Sequence, residues 1–156
     1  MEDKDHLRRC IELAEAAVEQ GDEPFGSVLV DATGKVRAEE RNRAHTDNAT
    51  RHPEFDLARW AGRHLTAEER REATVYTSGE HCPMCSTAHG VVGLGRIVFA
   101  SSGKQLQEWH DELGVAPPAA RFRPVVDMLP HAEVSGPFPE FTERIRALHF
   151  RYHQAE

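Results

Sequence analysis

Apolar residues recur every three or four positions near the start of the chain, at Leu7, Ile11, Ala14 and Val18. This spacing predicts a helix over about residues 5–20, which a glycine ends. Two apolar runs then flank the turn-forming segment 31–35, so residues 25–41 are predicted to form a β-hairpin. Residues 42–51 are polar and show no period, which indicates a loop.

The middle of the chain alternates between helical and extended patterns. Residues 53–65 present a broad apolar face, and the proline at position 53 suits the first turn of a helix because its missing N–H needs no partner there. A strand is predicted over about 74–77, a helix from Pro83 to about residue 92, and a strand over 96–100. Each of these elements is short enough to belong to a single sheet with helices on its faces.

The last third of the chain has a weaker pattern. Residues 104–113 and 141–152 have helical spacing. Residues 114–139 are rich in proline and are predicted to be mostly loop, with a short strand around 131–134. The order of the earlier elements, α-β-β-α-β-α-β, predicts an α/β fold.

Composition sets the protein class. A length of 156 residues, 39% of them apolar, predicts one domain, 1–156, with a core over about 5–114. A formal net charge of −7 argues against a partner bound mainly through phosphates, so nucleic acid is not expected. We expect no membrane span, because no apolar run approaches the roughly 18 residues that one needs. The charged N-terminus and three cysteines favour a reducing, cytoplasmic location.

Two short motifs carry the chemistry. Cys82 and Cys85 stand in a C-x-x-C run directly after a predicted strand, and His52 precedes a predicted helix thirty positions upstream. Two thiolates and one imidazole supply three zinc ligands and leave a fourth position open, which is typical of catalytic rather than structural zinc. A C-x-x-C run alone is also typical of a redox pair or half of a zinc knuckle.

Glu54 lies two residues after His52, in the first turn of its predicted helix. A carboxylate beside a zinc-bound water can accept its proton, and zinc lowers the pKa of that water to about 7. The resulting hydroxide attacks a polarised carbon, and the same carboxylate can protonate the ring nitrogen and the leaving group. The motifs therefore predict a zinc-dependent aminohydrolase that releases ammonia.

These residues resemble the zinc-dependent cytidine deaminase superfamily, whose signature pairs H-x-E with P-C-x-x-C. The segment 24–30 and the residues that precede Cys85 resemble the guanine deaminase and tRNA adenosine deaminase branch. Two departures fall near the site. His81 replaces a proline that is usual before the first cysteine, and residues 86–90 are smaller and more polar than in that branch.

The resemblance implies a three-layer α-β-α sandwich with a central mixed five-stranded sheet, one zinc ion per subunit and a homodimer. It also implies ligand roles for His52, Cys82 and Cys85. By the same resemblance, Asn42 and Phe25 contact the substrate, although a turn and a core position are the plain alternatives. Glu80 is either part of the site or a buried structural acceptor.

The predicted substrate is a free nucleobase or a related heterocycle, such as guanine, cytosine, isoguanine or an amino-triazine. Two alternatives stay open: a tRNA adenosine deaminase, and a non-catalytic, zinc-stabilised interaction module on the same fold. The C-terminal segment 115–156 is predicted to cap the active site.

Overall fold

The computed structural model describes residues 2–154. The strands in this range are β1 (Gly26–Val30), β2 (Val36–Arg41), β3 (Thr74–Gly79), β4 (Arg96–Ser101) and β5 (Val134–Ser135). The helices are α1 (Asp3–Glu19), α2 (Pro53–His64), α3 (Ala67–Glu72), α4 (Pro83–Val91), α5 (Gly103–Leu113), α6 (Val125–Met128) and α7 (Thr142–Gln154). A single 3₁₀ turn, Pro139–Phe141, leads into α7.

The five strands form one mixed sheet in the order β2-β1-β3-β4-β5. Strand β1 pairs antiparallel with β2 and with β3, whereas β3/β4 and β4/β5 are parallel pairs. The parallel pairs need crossovers, which α4 and the long segment after β4 provide. This topology confirms the predicted mixed five-stranded α/β sheet.

Alternation along the strands divides the core into two layers. Val28, Val30 and Tyr76 lie on the face covered by α1, α5 and α7, together with Trp109 and Ile145 of the latter two helices. The neighbouring strand residues point the opposite way, toward a second cluster that α2 contributes to and α4 packs against. Helices therefore cover both faces of the sheet, as predicted.

Helix α3 has no counterpart in the prediction. Thr66 caps it by accepting a hydrogen bond from the backbone N–H of Glu69, and the Glu69 side chain accepts one from the N–H of Thr66. This reciprocal capping box was visible in the sequence as T-x-x-E. The helix was missed because none of its residues is buried, so it has no apolar period.

The short strand predicted around 131–134 is present but lies further along the chain, at Val134–Ser135, so the two ranges share only Val134. Residues 125–128 form α6 within a segment that was predicted to be mostly loop. Both elements are too short to carry a period, and the edge of β4, not the local sequence, determines where β5 pairs. Within residues 2–154, no helix is both long enough and apolar enough to cross a bilayer.

Candidate metal centre

The N-termini of α2 and α4 bring the two motifs together. These helices pack side by side on one face of the sheet, and each begins with a proline immediately after its N-cap residue. The N-cap of α2 is His52 and that of α4 is Cys82, while Cys85 lies one turn into α4. The positive ends of two helix dipoles therefore meet where the thiolates lie, which favours their ionised form.

The three donor atoms are close enough to share one ion. The Sγ atoms of Cys82 and Cys85 lie 3.6 Å and 3.7 Å from Nδ1 of His52. Tetrahedral zinc with ordinary Zn–S and Zn–N bonds separates such atoms by about 3.5 Å. In the described range, these residues form the one group of three or more potential ligands whose donor atoms all lie within 4.8 Å of each other. The donor set and its spacing fit zinc.

The pKa values of the three donor groups are shifted because the groups share protons with one another. The neighbouring Cys85 thiol and the His52 ring lower the pKa of Cys82 to about 4. Hydrogen bonding to Cys82 raises the pKa of His52 to about 9, and it also raises the pKa of the buried Cys85 thiol. A bound cation replaces such shared protons, so metal binding at this centre releases protons.

Glu54 lies in the first turn of α2 and is almost completely buried. Its Oε1 accepts a hydrogen bond of 3.0 Å from the hydroxyl of Ser27, on β1. Burial raises the pKa of Glu54 to about 7, with the nearby His52 acting in the opposite direction. A carboxyl group with that pKa can both accept and release a proton near neutral pH.

The sequence that forms this centre matches a known protein family. The sequence model described as "Cytidine and deoxycytidylate deaminase zinc-binding region" matches residues 1–101, which include all three donors and Glu54. The chain belongs to this deaminase family. It is therefore a zinc-dependent hydrolytic deaminase, and the family resemblance seen in the sequence is confirmed.

Individual relatives agree with this assignment. A Schizosaccharomyces pombe protein described as "Probable cytosine deaminase" is 33% identical over 140 residues, which span 86% of this chain and 83% of the relative. The guanine deaminase of Bacillus subtilis is 38% identical over 96 residues, 60% of this chain and 56% of the relative. The solved structure of guanine deaminase from Nitrosomonas europaea superimposes with a TM-score of 0.73 over 95% of this chain and 82% of that one. At 18% identity, the last likeness shows the fold alone.

Ser27 contacts Glu54, and the sequence analysis did not single it out. It is fully buried, it donates to Glu54, and its oxygen also lies 2.9 Å from the hydroxyl of Thr77. The signal was present as a serine inside the apolar run 25–30 and a threonine inside the run 74–77. Only the antiparallel register, which pairs Ser27 with Thr77, shows that the two meet beside Glu54.

Asn42 and Phe25 lie next to each other at the open end of the β1/β2 pair. The backbone N–H of Asn42 donates to the carbonyl of Phe25, and its side-chain Oδ1 accepts from the N–H of Ala44. The ring of Phe25 packs against Gly79, where an added Cβ would lie 3.0 Å from its Cε1 atom. On its other side, Phe25 meets the ring of His149 edge-on at 5.2 Å. Contact of Asn42 and Phe25 with a substrate stays a prediction.

Glu80 uses both carboxylate oxygens to bind backbone. Oε1 accepts from the N–H of Gly103 at 2.9 Å and Oε2 from the N–H of Val125 at 2.7 Å. The side chain thus ties the turn before α4 to the first residues of α5 and α6. Of the two predicted roles for Glu80, these contacts favour the buried structural acceptor.

Replacing Glu80 with alanine is expected to lower the free energy of unfolding by about 2–4 kcal/mol, since two backbone N–H groups lose a charged acceptor. Urea unfolding of the zinc-loaded protein measures this effect. Glu133→Ala is the matched control, because the Glu133 side chain is 77% exposed. An unfolding energy unchanged by Glu80→Ala would show that these hydrogen bonds contribute nothing.

His81, Ser86 and His89 form a buried polar group beneath the metal centre. Both ring nitrogens of His81 and the hydroxyl of Ser86 lack hydrogen-bond partners in the described range, while Nε2 of His89 lies 2.8 Å from the carbonyl of Gly95. The two imidazole rings meet edge-on at 5.3 Å. Burial lowers the pKa of both rings, which keeps them neutral.

Asp22 anchors the loop that leads from Asn42 to the metal centre. It is fully buried and accepts hydrogen bonds from the N–H groups of His45 and Thr46, the Thr46 hydroxyl and the Arg41 guanidinium. Burial alone would raise the pKa of Asp22, but these hydrogen bonds outweigh it and hold the pKa below its usual value.

The Asp22→Asn protein is expected to be less stable by about 2–4 kcal/mol at pH 7, because hydrogen bonds to a charged acceptor are lost. A carboxyl group with a lowered folded-state pKa stabilises the protein above its unfolded-state pKa of about 3.9 and loses that effect as pH falls. The stability difference between the two proteins should therefore be constant from pH 7 to 5 and shrink below about pH 4. Chemical unfolding across this range tests it, with exposed Asp127→Asn as control. A difference that grew in acid would contradict this account.

Proposed function

We propose that this deaminase hydrolyses the exocyclic amine of a free nucleobase or a related heterocycle, with guanine, cytosine, isoguanine and amino-triazines as candidates. The observation that supports this most directly is the meeting of His52, Cys82 and Cys85 beside the buried carboxyl group of Glu54. Three ligands plus an adjacent proton carrier form a hydrolytic set rather than a closed structural one.

In this proposal, His52, Cys82 and Cys85 hold the zinc ion. Zinc held there supplies the Lewis acidity that lets water act as a nucleophile at neutral pH. Three protein ligands leave one position of a tetrahedral zinc ion open. The helix N-termini favour thiolates, and a bound ion displaces the proton that the two sulfurs otherwise share.

Glu54 moves the protons. Its carboxylate removes one proton from the attacking water and delivers it to the adjacent ring nitrogen of the heterocycle. It then takes a second proton from the hydroxyl group now bonded to the ring carbon and transfers it to the exocyclic amine. The carbon–nitrogen bond breaks, ammonia leaves, and the ring carbon becomes a carbonyl. The Ser27 hydroxyl holds Oε1 in place, so the other carboxylate oxygen carries the protons.

Asn42 and Phe25 are proposed to orient the ring. Within residues 2–154, the amide nitrogen of Asn42 makes no hydrogen bond, so it is available to donate to a ring or carbonyl acceptor. Phe25 offers an aromatic edge or face against which a planar base can pack. Both side chains belong to the β1/β2 end that borders Ser27 and Glu54.

Charge favours a small ligand over tRNA. A polynucleotide needs cationic contacts to its phosphates. On the C-terminal helix, Arg144 pairs with Glu15 and Arg146 pairs with Glu112, which leaves these guanidinium groups partly neutralised. Together with the net charge of −7, this supports a substrate without a phosphate backbone.

The C-terminal segment 115–156 is proposed to cap the pocket within a single domain. Helix α7 places His149 against Phe25. Burial raises the pKa of Tyr152 on the same helix, and the carboxylates of Glu23 and Asp22 in the turn before β1 add to that shift. The helix thus lies along the side of the pocket that Phe25 forms.

An ammonia-release screen tests the proposed substrate class. Zinc-loaded protein is incubated with free bases, their nucleosides, amino-triazines and an anticodon stem-loop of tRNA. We expect release from at least one free base or triazine and none from the RNA. Release from the stem-loop alone, with retention on it at low salt, would instead identify a tRNA adenosine deaminase.

A second copy of the chain is the proposed occupant of an apolar groove between α2 and α4. The groove encloses about 700 Å³, and its walls include Phe55, Ala58, Met84 and Ala88. Val91 projects beside it with 80% of its surface exposed. In a two-fold contact, each Val91 would fill the groove of the other copy.

Light scattering on the wild type and on Val91→Asp tests this contact. We expect a dimer in the wild type that dissociates in the variant, whereas a monomeric wild type would exclude the proposed dimer.

The reduced state of the cysteines supports a reducing compartment. All three thiols are free, and two of them are the proposed zinc ligands. We propose a cytoplasmic location on this ground.

A further inference from the structure

Three histidines gather on the face of the sheet opposite the groove between α2 and α4. His149 and His153 lie one turn apart on α7, and His110 faces them from α5. The ring of His110 lies 6.3 Å from that of His149 and 5.2 Å from that of His153, measured between centroids. None of these residues belongs to the ligand set of His52, Cys82 and Cys85.

Among residues 2–154, each of the three rings has a buried nitrogen that makes no hydrogen bond. These atoms are Nε2 of His110, Nδ1 of His149 and Nε2 of His153, and each is shielded from solvent. A buried polar atom that makes no hydrogen bond is costly and calls for an explanation, such as a role in binding an ion. A metal ion is one partner that all three nitrogens can share, because each of them offers a lone pair when its ring is neutral.

We propose that His110, His149 and His153 bind a second zinc ion. Three neutral imidazoles are an established donor set for zinc, and two histidines four residues apart on a helix bind metal on one face. Divalent ions of intermediate softness, such as Zn²⁺, suit imidazole ligands. The site differs from the deaminase centre because it contains no sulfur.

Side-chain rotations are needed to close this site. In the described range, only His52, Cys82 and Cys85 have all their donor atoms within 4.8 Å of each other. His110 and His153 are half-buried, so their rings can turn toward His149, which is fixed in the core. Burial, together with the neighbouring His110 and His153, lowers the pKa of His149 to about 3, so its ring is in the neutral form that metals bind.

The second ion would join the C-terminal helix to α5 and to the wall of the pocket. His149 packs between the ring of Trp109, at 5.5 Å, and the ring of Phe25, at 5.2 Å. A metal ion that fixes His149 therefore restrains Phe25 as well. Because an ion bound only by the folded chain stabilises it, occupancy should raise the midpoint of thermal unfolding.

Cobalt titration distinguishes the two sites. Metal-free protein without an appended histidine tag is titrated with Co²⁺, and bound metal is counted by equilibrium dialysis. The first site gives a thiolate-to-cobalt charge-transfer band, whereas a site of three imidazoles gives none. We expect two equivalents in the wild type, with the band saturating at one. His110→Gln and His153→Gln should weaken the second equivalent at least tenfold and leave the band unchanged.

His131→Gln is the matched control, since His131 is an exposed histidine outside the cluster. It should bind both equivalents as the wild type does. A wild type that binds a single equivalent, or a second equivalent that survives both variants, would overturn the proposal. If one variant loses its helical circular dichroism, the other variant and the wild-type count carry the test. Because no readout is an activity, this test is independent of the proposed substrate.

Discussion

Glu54→Gln is expected to lose about 10²–10⁴-fold in kcat, the usual contribution of a positioned proton carrier. Glutamine has the shape of glutamate, and its Oε1 can still accept the hydrogen bond that Ser27 donates to Glu54. It cannot take a proton from water or return one to the leaving amine. Steady-state ammonia release from a substrate found in the screen measures the loss.

Metal binding by Glu54→Gln shows whether the substitution affects catalysis alone or also disturbs the metal centre. The thiolate-to-cobalt band of Glu54→Gln should match that of the wild type, since Glu54 is not a proposed ligand. Glu68→Gln is the control, because Glu68 also lies in the first turn of a helix but is exposed. A Glu54→Gln protein that keeps wild-type activity would show that this carboxylate does not carry the protons of the reaction.

Cys85→Ser is expected to abolish both the cobalt band and ammonia release. The Cys85 sulfur is buried and 3.7 Å from Nδ1 of His52, so no other side chain can take its place without moving the helix. Serine is a poor zinc ligand because its hydroxyl stays protonated, whereas zinc displaces the proton of a cysteine thiol. Activity should fall below detection, and bound cobalt should fall to the single equivalent of the histidine cluster.

The fold should survive this substitution. Both apolar layers of the core are built from strand and helix residues that do not bind the ion, so far-ultraviolet circular dichroism should change little. Cys10→Ala is the control, because Cys10 is equally buried but lies in α1, away from the centre. Full activity in Cys85→Ser would remove this residue from the ligand set.

The sequence predicted which helices carry the metal centre better than it predicted which elements lie beside them in the fold. Pro53 and Pro83 mark the starts of α2 and α4 because a proline is tolerated where the N–H has no helical acceptor. Spacing could place His52 and Cys82 at helix starts. That the two starts meet depends on the sheet order, which no local pattern contains.

The C-terminal half was harder to predict for a related reason. Strand β5 has two residues and pairs with β4 across more than thirty positions, so it has no alternation to detect. Glu80 illustrates the same limit for side chains. Its two acceptors serve backbone groups 23 and 45 residues later in the chain, and composition cannot reveal such distant contacts.

X-ray absorption at the zinc edge tests the central claim most directly. Protein loaded with one equivalent of zinc should show two sulfur neighbours at about 2.3 Å and lighter neighbours at about 2.0–2.1 Å, with the sulfur signal lost in Cys85→Ser. A spectrum without sulfur, or one with four sulfurs as in a closed structural site, would contradict a zinc ion held by His52, Cys82 and Cys85.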